Sequence, residues 1–160
     1  NITIIRDNYG IPHVYGKTDA DAVFGLLYAQ CEDDFRRVEM NYIEKLGRLA
    51  EVNGEKDLYN DLLIRLVIDS ADAIKDYNNA NDTLKRILNA FADGINYFLH
   101  KNQKIKPILL NHFEPWYPLL WTDGSIGAIS TADLTTADLA KLYGNSSNSI
   151  ALSAAPSSIK

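Results

Sequence analysis

The sequence predicts a mostly α-helical chain with a short N-terminal β-hairpin and a C-terminal strand. Three observations carry this. Apolar residues recur at three- and four-residue spacing through long stretches after residue 18. A β-branched run, 2–5, and a second short run, 11–15, flank the turn-forming Asp7-Asn8-Tyr9-Gly10. Near the end, Ser149-Ile150-Ala151-Leu152 alternates polar and apolar, as a half-buried strand does.

The hairpin comes first, with Pro12 marking an edge or a strand start because it cannot donate to a ladder. Thr18-Asp19-Ala20-Asp21 resembles a capping box, Thr18 being the N-cap. A single long helix is then expected over about 19–45. Phe24, Leu27, Tyr28, Cys31, Phe35, Val38 and Tyr42 form its apolar stripe, and Asp33, Arg36, Arg37 and Glu39 take the other side. Gly47 is a helix stop and Asn53-Gly54 a turn. A second helix is expected over about 58–77 with Leu62, Leu63, Leu66, Val67 and Ile74 inward. The polar cluster 78–82 ends it and caps a third, about 82–101, whose face carries Leu84, Ile87, Leu88, Phe91, Ile95, Phe98 and Leu99.

The stretch 107–118 holds Pro107, Pro115 and Pro118, so it reads as an irregular, packed connection. Thr122-Asp123 caps a fourth helix, about 124–134, whose small residues allow close packing. Residues 135–146 are polar and small. No internal repeat appears.

With 160 residues the chain can bury a sizeable core. Its net charge of −5 and pI of about 5.1 give no electrostatic reason to bind nucleic acid or an anionic membrane. No apolar run reaches the ~20 residues needed to span a bilayer. The single Cys31 cannot form an internal disulfide. The chain opens in a strand-like run without Met, which fits a processed or trimmed N-terminus. His13, His100 and His112 lack HExxH spacing, no phosphate-binding Gly-rich loop stands out, and there is no Gly-x-Ser-x-Gly elbow. Glu32-Asp33-Asp34 reads as a solvated helix face. Pattern alone stops at a mostly helical domain.

Five blocks, in order, take the reading further. Arg6-Asp7-Asn8-Tyr9-Gly10-Ile11-Pro12-His13-Val14 comes first, followed by Asp19 to Gly25 with Ala29-Gln30. Arg37-Val38-Glu39-Met40-Asn41 then leads into Gly47-Arg48-Leu49-Ala50-Glu51. Phe91-Ala92-Asp93-Gly94-Ile95-Asn96 and Phe113-Glu114-Pro115-Trp116 follow. Together they resemble the α-chains of the penicillin acylase family, N-terminal-nucleophile amidohydrolases. Cys31-Glu32-Asp33 and the Tyr117–Leu120 insertion before Trp121 depart from its pattern.

The resemblance implies that this chain is part of an αββα N-terminal-nucleophile fold. Residues 1–134 would be the helical α-subunit region, 135–146 a spacer to the cleavage site, and 147–160 the start of the β-subunit. Ser147-Asn148-Ser149-Ile150-Ala151-Leu152 resembles the first residues of family β-chains, which makes Ser147 the catalytic nucleophile, freed by self-cleavage. Ile150 is closer to the acyl-homoserine-lactone and aculeacin acylases than to penicillin G acylases, which tend to carry Trp there.

The implied reaction hydrolyses the amide bond of an acylated small molecule and requires no cofactor. Some members hold a structural calcium, for which Asp138 is the nearest candidate. The implied partner is the β-subunit of the same precursor, and the implied location is the periplasm or outside the cell. His13, Arg6 and Arg48 are expected to be structural, and Trp116 and Trp121 core or subunit-contact anchors. Because the sequence runs on past Ser147 to Lys160, the chain as it stands is expected to be inert. The alternative is a non-catalytic helical piece that binds a partner through exposed apolar faces.

Overall fold

The computed structural model describes residues 1–120. The expected fourth helix (about 124–134), the strand at Ser149–Leu152, and Trp121, Asp138 and Ser147 lie outside the described residues.

The hairpin forms as expected. β1 (Thr3–Arg6) and β2 (Pro12–Tyr15) are antiparallel, in the register Thr3 opposite Tyr15 and Arg6 opposite Pro12. The turn is built by Asp7, whose Oδ1 accepts from the amides of Tyr9 (2.9 Å) and Ile11 (3.0 Å). Gly10 completes it at φ 82°.

Helix α1 (Asp19–Lys45) begins where the capping box predicts. Thr18 Oγ1 accepts from Asp21 N, and the Asp21 carboxylate accepts from the amide of Lys17. The expectation of one continuous helix needs correction, because Asp34 takes an extended conformation (φ −159°, ψ 77°) and kinks it. Its carboxylate then accepts from Arg37 N at 3.0 Å, acting as an internal cap for the second half. Gly47 (φ 61°) stops the helix as predicted, with Gly47 N donating to Glu44 O and Arg48 N to Ile43 O.

The expected second helix at 58–77 is also corrected. A short helix α2 (Leu49–Asn53) and a 3-10 turn (Glu55–Asp57) precede α3 (Leu58–Val67), and a break at Ile68-Asp69 separates α3 from α4 (Ser70–Asn79). Asp69 causes the break to be useful, since its side chain accepts from Ala71 N at 2.8 Å and caps α4. Four of the five inward assignments there fail as well, Leu63 being partly buried. Leu62, Leu66, Val67 and Ile74 are exposed.

Helix α5 (Asp82–Lys101) starts at Asn81, which caps Leu84 N. It buries Leu88, Phe91, Ile95 and Phe98 as predicted, although Leu84, in its first turn, stays exposed. A 3-10 turn (Tyr117–Leu120) ends the described part and packs on α4.

The core lies between α1 and α5, the most extensive helix contact of the fold. Leu27, Cys31, Phe35, Ile43, Phe91, Ile95 and Phe98 fill it, closed over by Leu110, Phe113, Tyr117 and Leu120 from the proline-rich connection. Phe35, Tyr42, Phe98, Phe113 and Tyr117 meet with ring centroids 5.8–6.2 Å apart, the spacing of favourable aromatic pairs.

Candidate active site

Ser147, the sequence-predicted nucleophile, lies outside the described residues. What the structure describes is the part of the chain that precedes it in sequence.

The frame depends on two close approaches. A Cβ placed on Gly94 would stand 2.5 Å from Phe24 O, so only glycine lets α5 meet the α1 backbone there. A Cβ on Gly25 would stand 2.5 Å from Val14 Cγ1 and 2.8 Å from Ile2 Cγ2, so the same logic seats the hairpin on α1.

Two polar side chains, one on α1 and one on α5, then hold the connection. Glu39 is fully buried. Its Oε1 accepts from Leu109 N (2.8 Å) and Leu110 N (3.1 Å), while Oε2 faces Arg36 at 3.4 Å. A carboxylate taking two amide donors makes strong, charge-assisted bonds. Placing Glu39 on the polar side of α1 is therefore wrong. It falls four residues from both Phe35 and Ile43, in the buried row Cys31, Phe35, Glu39, Ile43, and that spacing was the signal.

Asn96 holds the next point. Its Nδ2 donates to Phe113 O and its Oδ1 accepts from Phe113 N, both at 2.9 Å, imitating a strand partner for one residue. Asp61, on α3, is a third clamp and is itself buried, accepting from Leu49 N (2.8 Å) and Ala50 N (2.7 Å) and so capping α2 from a distance. Nothing local in the sequence announces it, because its partners lie eleven and twelve residues back.

The ion pairs are structural, as expected. Arg6 meets Glu32 (3.2 Å) and Asp33 (2.8 Å), which ties the hairpin to α1 and raises the guanidinium pKa, chiefly through Glu32. Arg48 holds Glu51 through two bonds of 2.6 and 2.7 Å, which lower the Glu51 carboxyl below its usual range. His13 Nε2 lies 3.3 Å from Asp7, half-exposed at the hairpin turn. Asp7 is held low, first by its bond from Ile11 N.

Trp116 is half-buried with its ring edge on Tyr117, centroids 4.8 Å apart, as an anchor would be. Burial pushes the Cys31 thiol up to about 12, far from a reactive thiolate. Among the described residues no group of three or more His, Cys, Asp or Glu side chains could hold a metal ion, and no helix is long and apolar enough to cross a membrane.

Comparison with known proteins adds to this frame. A family model described as penicillin amidase matches residues 1–157. An acyl-homoserine lactone acylase, QuiP, of Pseudomonas syringae pv. tomato is 34% identical over 101 residues, covering 63% of this chain and 12% of that protein. The penicillin acylase 2 proenzyme of Pseudomonas sp. strain SE83 is 28% identical over 120 residues, covering 73% of this chain and 16% of that protein. The chain thus spans 12–16% of the length of these relatives. Among solved structures, a thermostable penicillin G acylase from Alcaligenes faecalis superposes with a TM-score of 0.66 at 20% identity, over 90% of this chain and 85% of that one. At that identity the likeness is one of fold.

Proposed function

This chain belongs to the penicillin amidase family, and from that premise we propose that it is the α-subunit portion, running on into the first residues of the β-subunit, of an acylase with Ser147 as its N-terminal nucleophile. The observation that carries the reading is the extent of the family match: it runs through residue 157 and so takes in Ser147. The motif blocks also have structural work to do, since Gly25, Glu39, Gly94 and Asn96 each seat one piece of the frame.

The chemistry follows from the position. A serine hydroxyl is a poor nucleophile without a base. Cleavage of the Ser146–Ser147 bond would free an α-amine with a pKa near ~8, well matched to general-base work near neutral pH. In the reaction the Ser147 Oγ adds to the substrate carbonyl as the amine takes its proton. The tetrahedral intermediate collapses, the leaving amine departs with that proton, and an ester to Oγ remains. Water then hydrolyses the ester, releasing the carboxylic acid and restoring the hydroxyl. The oxyanion needs pre-placed donors, which this reading assigns to the β-subunit. The αββα fold, no required cofactor, and export to the periplasm or beyond belong to the same proposal. A calcium held in part by Asp138 is a further element of it.

For substrate we favour aliphatic N-acyl groups, on Ile150 and on the likeness to proteins named acyl-homoserine lactone acylases. The experiment is Ser147→Ala in the full precursor, read by intact mass and by release of amine from N-acyl-homoserine lactone and β-lactam substrates. Both self-cleavage and hydrolysis should vanish. An uncut but active Ser147→Ala protein would mean another nucleophile.

The second reading, a non-catalytic partner-binding unit, draws on the exposed leucines of α3. A wild-type precursor that stays whole and inert would favour it.

A further inference from the structure

Asn53-Gly54 is the one Asn-Gly pair in the sequence, and it has a chemistry besides its turn. The amide carbon of an asparagine side chain lies within reach of the next backbone nitrogen. Attack by that nitrogen closes a five-membered ring. A side chain on the following residue crowds the attack, and glycine has none. Asparagine counts among the thermolabile residues.

The structure leaves this pair open. Both residues are exposed. Gly54 stands at φ 84°, and a Cβ built on it would meet nothing within 4 Å. Helix α2 has five residues, none of them fully buried. Two bonds hold the reacting groups. Gly54 N, the atom that must attack, donates to Ala50 O at 2.9 Å. Asn53 Nδ2, the atom that must leave, donates to Asp57 Oδ2 at 2.6 Å. A short helix with few buried contacts opens locally at low cost, and opening frees both atoms. Asp93-Gly94 is the contrast. The same ring could close there, but the pair lies in the middle of α5 with Gly94 buried against the α1 backbone at Phe24.

We propose that Asn53-Gly54 is a site of spontaneous deamidation, reached by local opening of α2, and that the product breaks the Asn53–Asp57 link. Gly54 N gives its proton to solvent and bonds to Asn53 Cγ. Asn53 Nδ2 takes a proton and leaves as ammonia, which completes a cyclic imide. Water then adds to one of the two imide carbonyls, and its bond to nitrogen breaks. Opening at the side-chain carbonyl gives aspartate. Opening at the main-chain carbonyl gives isoaspartate, in which the chain runs through Cγ. Ammonia is lost and water gained, with no other reactant. Either product removes the Nδ2 donor and adds a negative charge beside the Asp57 carboxylate, and like charges repel. The tie between α2 and the 3-10 turn that follows it is then lost. None of this depends on Ser147 or on the acylase reading.

The test ages the purified protein in mildly alkaline buffer made with heavy-oxygen water, digests it in ordinary water, and follows the tryptic peptide Leu49–Lys56 by mass. Wild type should gain one heavy oxygen at residue 53, and an isoaspartyl methyltransferase should methylate part of that peptide. Asn53→Gln, which would need a six-membered ring, should gain none. Asp57→Ala removes one of the two restraining bonds and should convert about fivefold faster, the population change that one net hydrogen bond brings. Circular dichroism before ageing should be the same in all three. Ageing of wild type should also speed hydrogen exchange at the amides of Gly54 and Asp57, which are bonded at the start. Wild type that stays unlabelled while the free peptide Leu49–Lys56 converts would overturn the proposal. So would a labelled Asn53→Gln, an Asp57→Ala protein no faster than wild type, or unchanged exchange after conversion.

Discussion

Glu39 shows how much one side chain can hold. Its carboxylate satisfies two backbone amides that lie seventy and seventy-one residues away in sequence. Glu39→Leu would keep the bulk and leave both amides unpaired, each at a cost of ~1–3 kcal/mol. We expect a loss of at least ~2 kcal/mol by denaturant unfolding. Glu39→Gln keeps an acceptor and should lose roughly half as much, because a neutral bond is weaker than a charge-assisted one. Equal losses in both variants would show that packing, not the acceptor, is what Glu39 supplies. Read as a charge among Arg36 and Arg37, Glu39 looks solvated. Read by spacing, it sits in line with Phe35 and Ile43. The partners that decide between the two come from the far end of the chain, and local sequence cannot name them.

At the scale of elements, caps and stops were legible and continuity was not. Thr18, Gly47 and Asn81 act where their chemistry predicts. The kink at Asp34 and the break at Asp69 use the same capping chemistry, but each lies within an apolar pattern that runs on across it. Asp69→Ala should cost about 1 kcal/mol as a lost N-cap and reduce amide protection in the first turn of α4 in hydrogen exchange. Unchanged protection there would remove Asp69 as the cause of the break. Gly94→Ala tests the contact between α1 and α5. Ala is the better helix former, so an isolated α5 would gain. In the fold the new Cβ would meet Phe24 O, and we expect a net loss of about 1–3 kcal/mol, the usual range for overpacking, seen as a lower thermal midpoint.

For the whole molecule, the hairpin and α2 are tied down partly by exposed carboxylates whose folded pKa values are lowered: Asp7 by the amides of its own turn, Glu51 by Arg48. A carboxylate with a depressed folded pKa contributes stability above its unfolded pKa and loses it as pH falls through the folded value. The ordinary values are 3.8 and 4.5, so stability should be level from pH 7 to about 5 and decline below about 4. Both groups are solvent-exposed, and salt should screen the Arg48–Glu51 share of the effect. A thermal midpoint that rises on acidification through this range would contradict the assignment.

The sequence by itself determined the helical class, the hairpin, the caps at Thr18 and Asn81 and the family, because these rest on local chemistry and on short motifs that survive without knowledge of contacts. It also singled out Ser147, through the resemblance of the block that contains it. Only the tertiary structure decided that Glu39 and Asp61 are inside, that Asn96 clamps Phe113, that Gly25 and Gly94 are points of contact, and that Leu58, Leu62 and Leu66 are outside. Burial is a property of what packs against a residue. For Leu62 and Leu66 an apolar pattern promised a core, and the described chain leaves them exposed.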